Sequence, residues 1–248
     1  MSIQRIGRGW RWLAIAASTV VPGFCGPVAL QNATATLSQT IGANFFASTM
    51  IDGNFGGGLG QGWAIFNGVG AAAETAVFET VTDAGFAGGT QLTFTMSQLY
   101  TAASQHSVGR FRISVTTDDR STFADGLQNG GDVTATWTVL TPTSASGTNG
   151  PTLTILGDGS VLASGTNPST SVYTIVALTS LTGITGFRLE VLEDASLPGS
   201  GPGRQPANGN FVLTEFEVNA DPSADVPEPA SWSLAALGIG LVAMRRRL

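Results

Sequence analysis

Residues Arg110 to Thr116 read RFRISVT, a strict alternation of apolar and polar side chains. A strand turns successive side chains to opposite faces. Phe111, Ile113 and Val115 therefore share one face, and Arg110, Arg112 and Ser114 share the other. One buried face and one wet face is the signature of an antiparallel sheet in a sandwich. Working outward, the same period of two recurs in Ala76 to Glu79, in Gln91 to Gln98 (QLTFTMSQ), in Val133 to Leu140 (VTATWTVL) and in Thr152 to Leu156. It returns in Val172 to Leu178 (VYTIVAL), in Gly186 to Leu192 (GFRLEVL) and in Phe211 to Val218 (FVLTEFEV). Gly, Pro, Asn and Asp clusters separate these runs, Gly157-Asp158-Gly159-Ser160 reads as a hairpin turn, and no long stretch keeps a period of 3.6. The expected fold class is all-β, an antiparallel β-sandwich.

A faint repeat runs through the strands. LTFTMSQ leading to GRFRISV parallels VYTIVAL leading to GFRLEV, with the Gly- and Asp-rich stretch Asp119 to Asp132 between them. Two units, 36–120 and 131–219, are the expected partition; one larger sandwich is the alternative.

The ends differ from the body. Arg5, Arg8 and Arg11 precede an apolar run from Trp12 to Val21 that Pro22-Gly23 breaks. A charged start followed by about ten apolar residues, too few to span a bilayer, is a signal peptide. Ala33-Thr34-Ala35 has the small-x-small spacing of a cleavage site, so residues 1–35 are the expected signal peptide, with its apolar run a short helix. Cleavage after Ala29 is the alternative. Phe24, a bulky residue immediately before Cys25, argues against lipidation of that cysteine.

At the other end, Pro227, Glu228 and Pro229 form an extended strip, since proline blocks both helix and sheet pairing. Ala230 to Met244 follows almost without polar groups, then Arg245, Arg246 and Arg247. As a helix those 15 residues reach roughly 22 Å, short of the ~30 Å hydrocarbon core unless the arginines snorkel and the bilayer thins. The arginine cluster would hold the end in the cytoplasm and the body outside. This order of features resembles the PEP-CTERM sorting signal of exosortase-processed proteins over Val226 to Leu248. The resemblance implies a transmembrane helix at 230–244 within a tail at 220–248, and an exosortase-type membrane protease as partner. It further implies inner-membrane anchoring before processing and a place at the cell surface, in a polysaccharide-rich setting, afterwards.

Charge and cysteine content narrow the function. Every basic residue is Arg, and outside the two ends, 1–35 and 220–248, five remain against 14 carboxylates, a net of −9. Such a surface repels phosphate backbones and excludes nucleic acid as a partner. Cys25 is the sole cysteine, so no disulfide can form within the chain.

Asp52-Gly53, then Trp63, then alternating strands and a final LTEFEV strand resemble the galactose-binding-like jelly roll of discoidin and carbohydrate-binding modules. HSVGRFRISVT and GPGR…NGNFVLTEFEV also look like β-sandwich regions of large secreted proteins from planctomycete-type bacteria. The expected sandwich is thus jelly-roll-like. In that family the Asp-Gly loop and the Glu of the last strand often flank a structural calcium ion, which by position implies Asp52, Asn54 and Glu215 here. Calcium takes six or more oxygens, and a Gly-rich loop supplies carbonyls readily.

Catalytic groups are scarce. His106 is the lone histidine, no G-x-S-x-G elbow presents a serine, and one His without a mature Cys cannot build a multi-His zinc site. Gly56 to Gly62 fits neither a phosphate-binding fingerprint nor a calcium repeat and reads as a flexible loop. Two carboxylates suffice for a glycosidase. Asp118-Asp119 and Glu190, Glu193, Asp194 are candidates, but they read as solvated, as do Glu215 and Glu217 beside inward Phe216 and Val218. Stacking on a sugar ring would fall to Trp63 or Tyr100, with Arg110 or Arg112 as donors. The expectation is a non-catalytic binding or structural module associated with extracellular polysaccharide. A carboxylate-based glycan-cleaving enzyme and a purely architectural matrix protein are the alternatives.

Overall fold

A computed structural model describes residues 25–223, so the apolar run of the signal peptide and the helix expected at 230–244 lie outside the described residues. The strands are β1 (Gly26–Pro27), β2 (Leu30–Ala35), β3 (Glu74–Ala84), β4 (Thr90–Gln98), β5 (Arg110–Thr116) and β6 (Thr138–Val139). They continue with β7 (Pro142–Gly147), β8 (Pro151–Ile155), β9 (Val161–Gly165), β10 (Ser171–Thr179), β11 (Ile184–Val191) and β12 (Glu215–Pro222). No α-helix occurs among the described residues, and none of their helical turns is long and apolar enough to cross a membrane.

The strands form two antiparallel sheets. One runs β1-β12-β4-β10-β7; the other runs β2-β3-β11-β5-β9-β8, with β6 added alongside β5. Alternation works as the sequence implies. On β4, Leu92, Phe94 and Met96 are buried while Gln91, Thr93 and Thr95 are only half-buried. On β10, Tyr173, Ile175 and Ala177 face in.

Aromatic rings join the sheets. Phe94 meets Phe187 of β11 edge-to-face with centroids 5.6 Å apart, and Phe78 of β3 stacks on Phe216 of β12 at 5.1 Å. Both separations suit the ring quadrupoles, and each buried Phe contributes ~1.5–3 kcal/mol of burial.

The partition at 120/131 into two units is corrected by the pairing. β4 lies between β12 and β10, and β11 lies between β3 and β5, so strands from both halves interleave in each sheet around one core. The strands of the repeat lie within one sandwich: β4 pairs with β10, and β5 with β11.

The stretch Val133 to Leu140 is also corrected. Only Thr138–Val139 is strand. The chain from residue 119 to 137 folds back over the outer face of β3, where Phe123 and Ala124 bury Val77, with Val133, Ala135 and Trp137 packed alongside. Trp137 lies edge-on to Phe123 and carries the Arg188 guanidinium 5.3 Å from its ring centre. Part of a face that alternation marks as wet is therefore covered.

The cleavage expected after Ala35 falls at the end of a packed strand. β2 pairs with β3, and Ala33, Thr34 and Ala35 are at most 4% exposed. The Thr34 hydroxyl accepts from Gly126 N–H at 2.7 Å, and Ala33 C=O accepts from Gln128 at 2.8 Å. Cleavage after Ala35 would tear out this strand, and cleavage after Ala29 would remove β1, which pairs with β12 at Asn219–Ala220. A small-x-small triplet reads identically as a cleavage site and as a tightly packed strand, and here packing uses it. N-terminal sequencing of the exported protein is expected to find a start ahead of Gly26. A chain beginning at Thr36 is expected to unfold roughly 10 °C below one beginning at Cys25, from the loss of about 3 kcal/mol of strand pairing and burial.

Candidate functional site

The Asp52 loop and the start of β12 meet at one end of the sandwich. Asp52 Oδ1 accepts from Asn54 N–H at 2.8 Å, closing a turn that Gly53 completes at a φ of 75°. The turn aims Gly53 N–H at Glu215 Oε1, 3.3 Å away. Asn54 is held from both sides, its oxygen by Gly56 N–H at 3.0 Å and its nitrogen by the Gln61 carbonyl. The Gly-rich segment beyond is clamped, contrary to the flexible loop expected: a Cβ on Gly57 would lie 1.8 Å from Leu99 C=O, and Thr101 N–H bonds Gly57 C=O at 2.9 Å.

Glu215 is the unusual member. Alternation placed it outward in water, and it does point away from the core side of β12, yet the Asp52 loop covers it to 3% exposure. Its Oε2 is buried without a hydrogen-bond partner. Removal from water pushes its carboxyl up to about 7; the Gly53 N–H opposes this, and the charges of Asp52 and Glu217 add to it. A cleft of about 290 Å³ lies alongside, lined by Val28, Leu30, Ile51, Gly53, Glu215 and Glu217. A charged acid with an idle buried oxygen attracts either a proton or a cation.

The residues expected to receive a sugar are not brought together. Trp63 is fully buried, its Nε1 donating to Leu37 C=O at 2.9 Å and its ring against Phe211, so it offers no platform. Tyr100 is 8% exposed, set edge-on to Phe45 and His106 in a separate cluster. Arg110 and Arg112 lie on the outer face of β5 and are spoken for. Arg110 pairs with Asp158 at 2.8 Å and Asp194 at 3.5 Å, and Arg112 clasps both oxygens of Glu190 at 2.9 and 3.0 Å. Trp63 and Tyr100 are thus packed in hydrophobic clusters, and Arg110 and Arg112 stand in ion pairs.

Of the carboxylates weighed for catalysis, Asp118, Asp119, Glu190 and Asp194 are also engaged. Glu190 meets Arg188 as well as Arg112. Asp194 accepts from the Ser196 hydroxyl and N–H, and Asp119 from those of Ser121, which holds both carboxyls below their usual range. Asp118 accepts from Thr136 N–H. His106 faces Ser104 C=O through Nδ1, and burial lowers its affinity for a proton. No group of three or more His, Cys, Asp or Glu gathers among the described residues.

One residue escaped the sequence reading altogether. Arg204, in the long connection from β11 to β12, is 6% exposed and has no carboxylate partner, whereas the other four described arginines all do. A lone arginine among Gly, Pro and Asn carries no periodicity to announce burial.

Against this geometry the comparisons are brief. The profile of the PEP-CTERM protein-sorting motif matches residues 225–247. A solved chain described with the Streptococcus pneumoniae β-galactosidase BgaA is similar in structure, with 8% sequence identity and a TM-score of 0.45, over 76% of this chain and 89% of that one. No curated protein matches the sequence. Fold and tail together define an exported β-sandwich protein. It carries the PEP-CTERM sorting motif, which implies membrane-anchored sorting and processing by exosortase, a membrane protein.

The raised carboxyl has a measurable consequence. Between about 4.5 and 7 the folded chain holds a proton on Glu215 that the unfolded chain has released, so stability falls as pH rises through that window. Without added metal the loss reaches about 3 kcal/mol. Glu215→Gln is expected to flatten this slope in urea titrations at pH 5, 6, 7 and 8.

Proposed function

We propose that this protein is a non-catalytic surface module whose sandwich, in the jelly-roll manner of galactose-binding-like domains, associates with extracellular polysaccharide after exosortase processing. The observation that carries this reading is the sorting motif at residues 225–247, an address for the envelope attached to a body of packed strands. Engagement of the candidate catalytic carboxylates by arginines and turn N–H groups supports a binding role over glycan cleavage. Before processing, the apolar run of residues 230–244 would anchor the chain in the inner membrane with its arginines cytoplasmic. Retention of the full chain, purified in detergent, on the producing cell's own insoluble polysaccharide tests the reading. Retention without release of reducing sugar supports it; no retention, or steady release of sugar, overturns it.

A structural calcium ion belongs to the same reading. Asp52 and Glu215 would hold it together with oxygens of the loop through Asn54. The idle buried Oε2 of Glu215 is the feature that fits, because a bound cation satisfies it and offsets the burial of its charge. Calcium and proton then compete for one oxygen. Calcium at a hundred times its Kd is expected to add about 2.7 kcal/mol, roughly 5–10 °C, at pH 8 and much less at pH 5. Asp52→Ala or Glu215→Gln should abolish the difference in a thermal melt.

A further inference from the structure

The second buried charge of the molecule lies near the same end. Arg204 N–H bonds Ser107 C=O at 2.8 Å as Gly203 bridges Val108, and this carries the side chain under the β9–β10 loop. There the guanidinium donates to Thr166 C=O at 2.8 Å and Gly165 C=O at 2.7 Å. Those contacts leave further N–H donors of the five that a guanidinium carries, and they leave its charge without a counterion among the described residues. A buried cation facing carbonyl and hydroxyl dipoles is incompletely compensated, because dipoles solvate charge without cancelling it.

The surroundings are built for polar contact. Asn167 donates to Arg204 C=O at 2.8 Å and accepts from the Ser107 hydroxyl at 2.9 Å. Arg204, Ser107 and Gln98 surround the Tyr173 hydroxyl, and Gln98 Nε2 is buried with no acceptor. A cleft of about 340 Å³ opens beside Arg204, lined by Ser164, Asn167, Ser196, Pro198 and Pro206 among others. Hydroxyls and an amide stand beside flat pyrrolidine faces, with one cation at the wall.

We infer that this cleft binds a carboxylate-bearing sugar, a single uronate residue within an otherwise neutral glycan. The carboxylate supplies the counter-charge that Arg204 lacks, and charge-assisted bonds to a guanidinium are the strong kind. The proline faces receive the C–H face of the ring, and the serines its hydroxyls. A densely charged polyanion is the wrong occupant, because carboxylates far outnumber arginines in the chain and repel it. A phosphate ester would want more than one cation. The inference rests on the polysaccharide reading above and specifies its ligand.

Calorimetry on the full chain in detergent tests it, with three probes: a short xylo-oligosaccharide carrying one glucuronate, its methyl ester, and the unsubstituted oligosaccharide. The acid is expected to bind at least tenfold more tightly than the ester or the neutral sugar. Arg204→Gln should erase that preference. So should Ser164→Glu, which adds a negative charge at an exposed rim position and leaves the buried network intact, and which decides the matter where the first variant fails to fold. Equal binding of acid and neutral sugar, or a preference that survives Ser164→Glu, overturns the site while the broader polysaccharide reading stands. No binding by any probe, together with no retention on polysaccharide, overturns both. A tetraglutamate peptide binding as tightly as the glucuronate probe would overturn the saccharide assignment in favour of a peptide carboxylate.

Discussion

Contact between the aromatic faces of the two sheets is the constraint on which everything else depends. Phe94 sits at the centre, touching Phe187 across the sandwich and Phe216 beside it, while Phe216 stacks on Phe78. Cys25, the lone cysteine, is exposed, so no internal disulfide shares the load. A sandwich without staples must draw its stability from such burial, and the rings fix the spacing and register of β3, β4, β11 and β12 together. Truncating Phe94 to Ala would remove contacts to both sheets at once, a loss of ~3–5 kcal/mol.

That packing also sorts the molecule into two ends. β4 finishes at Gln98 where β10 begins at Ser171 and β12 begins at Glu215, and β5 starts near where β11 stops. The long connections around residues 36–73, 99–109 and 192–214 gather here. Short turns at 85–89 and 180–183 lie at the other end, which β12 reaches at Pro222. The strand covers roughly 23 Å at ~3.3 Å per residue, and the sorting motif begins three residues after it, at 225. β1 pairs with the same stretch of β12, so both limits of the described body lie toward that end.

How much of this was legible in the sequence follows from what alternation encodes. A period of two reports which face of a strand is apolar, so RFRISVT, QLTFTMSQ and VYTIVAL declared themselves, and the repeat between them reported a genuine pairing of counterparts. Alternation is silent about what lies over the outer face. It gave no hint that residues 119–137 would fold across Val77, or that the Asp52 loop would close over Glu215. The resemblance did place Asp52 and Glu215 together, and the Gly53–Glu215 contact agrees with that placement. Trp63 misled because an aromatic beside glycines looks the same whether it lines a groove or fills a core. Ala33-Thr34-Ala35 misled because small side chains serve a peptidase and a packed strand equally.

The distribution of incomplete polar satisfaction is the last step. The aromatic centre is dry, while Gln98 Nε2 and Glu215 Oε2 lie toward the end away from Pro222 and Arg188 Nε is idle midway along β11. Buried polar groups without partners cost about 1–3 kcal/mol each. A hydrophobic residue at any of these positions would be the more stable choice if stability alone were at stake. Glu215 and Arg204 thus lie in the end of the body away from Pro222, where the acid leaves an oxygen without a hydrogen bond and the arginine has no ion pair among the described residues.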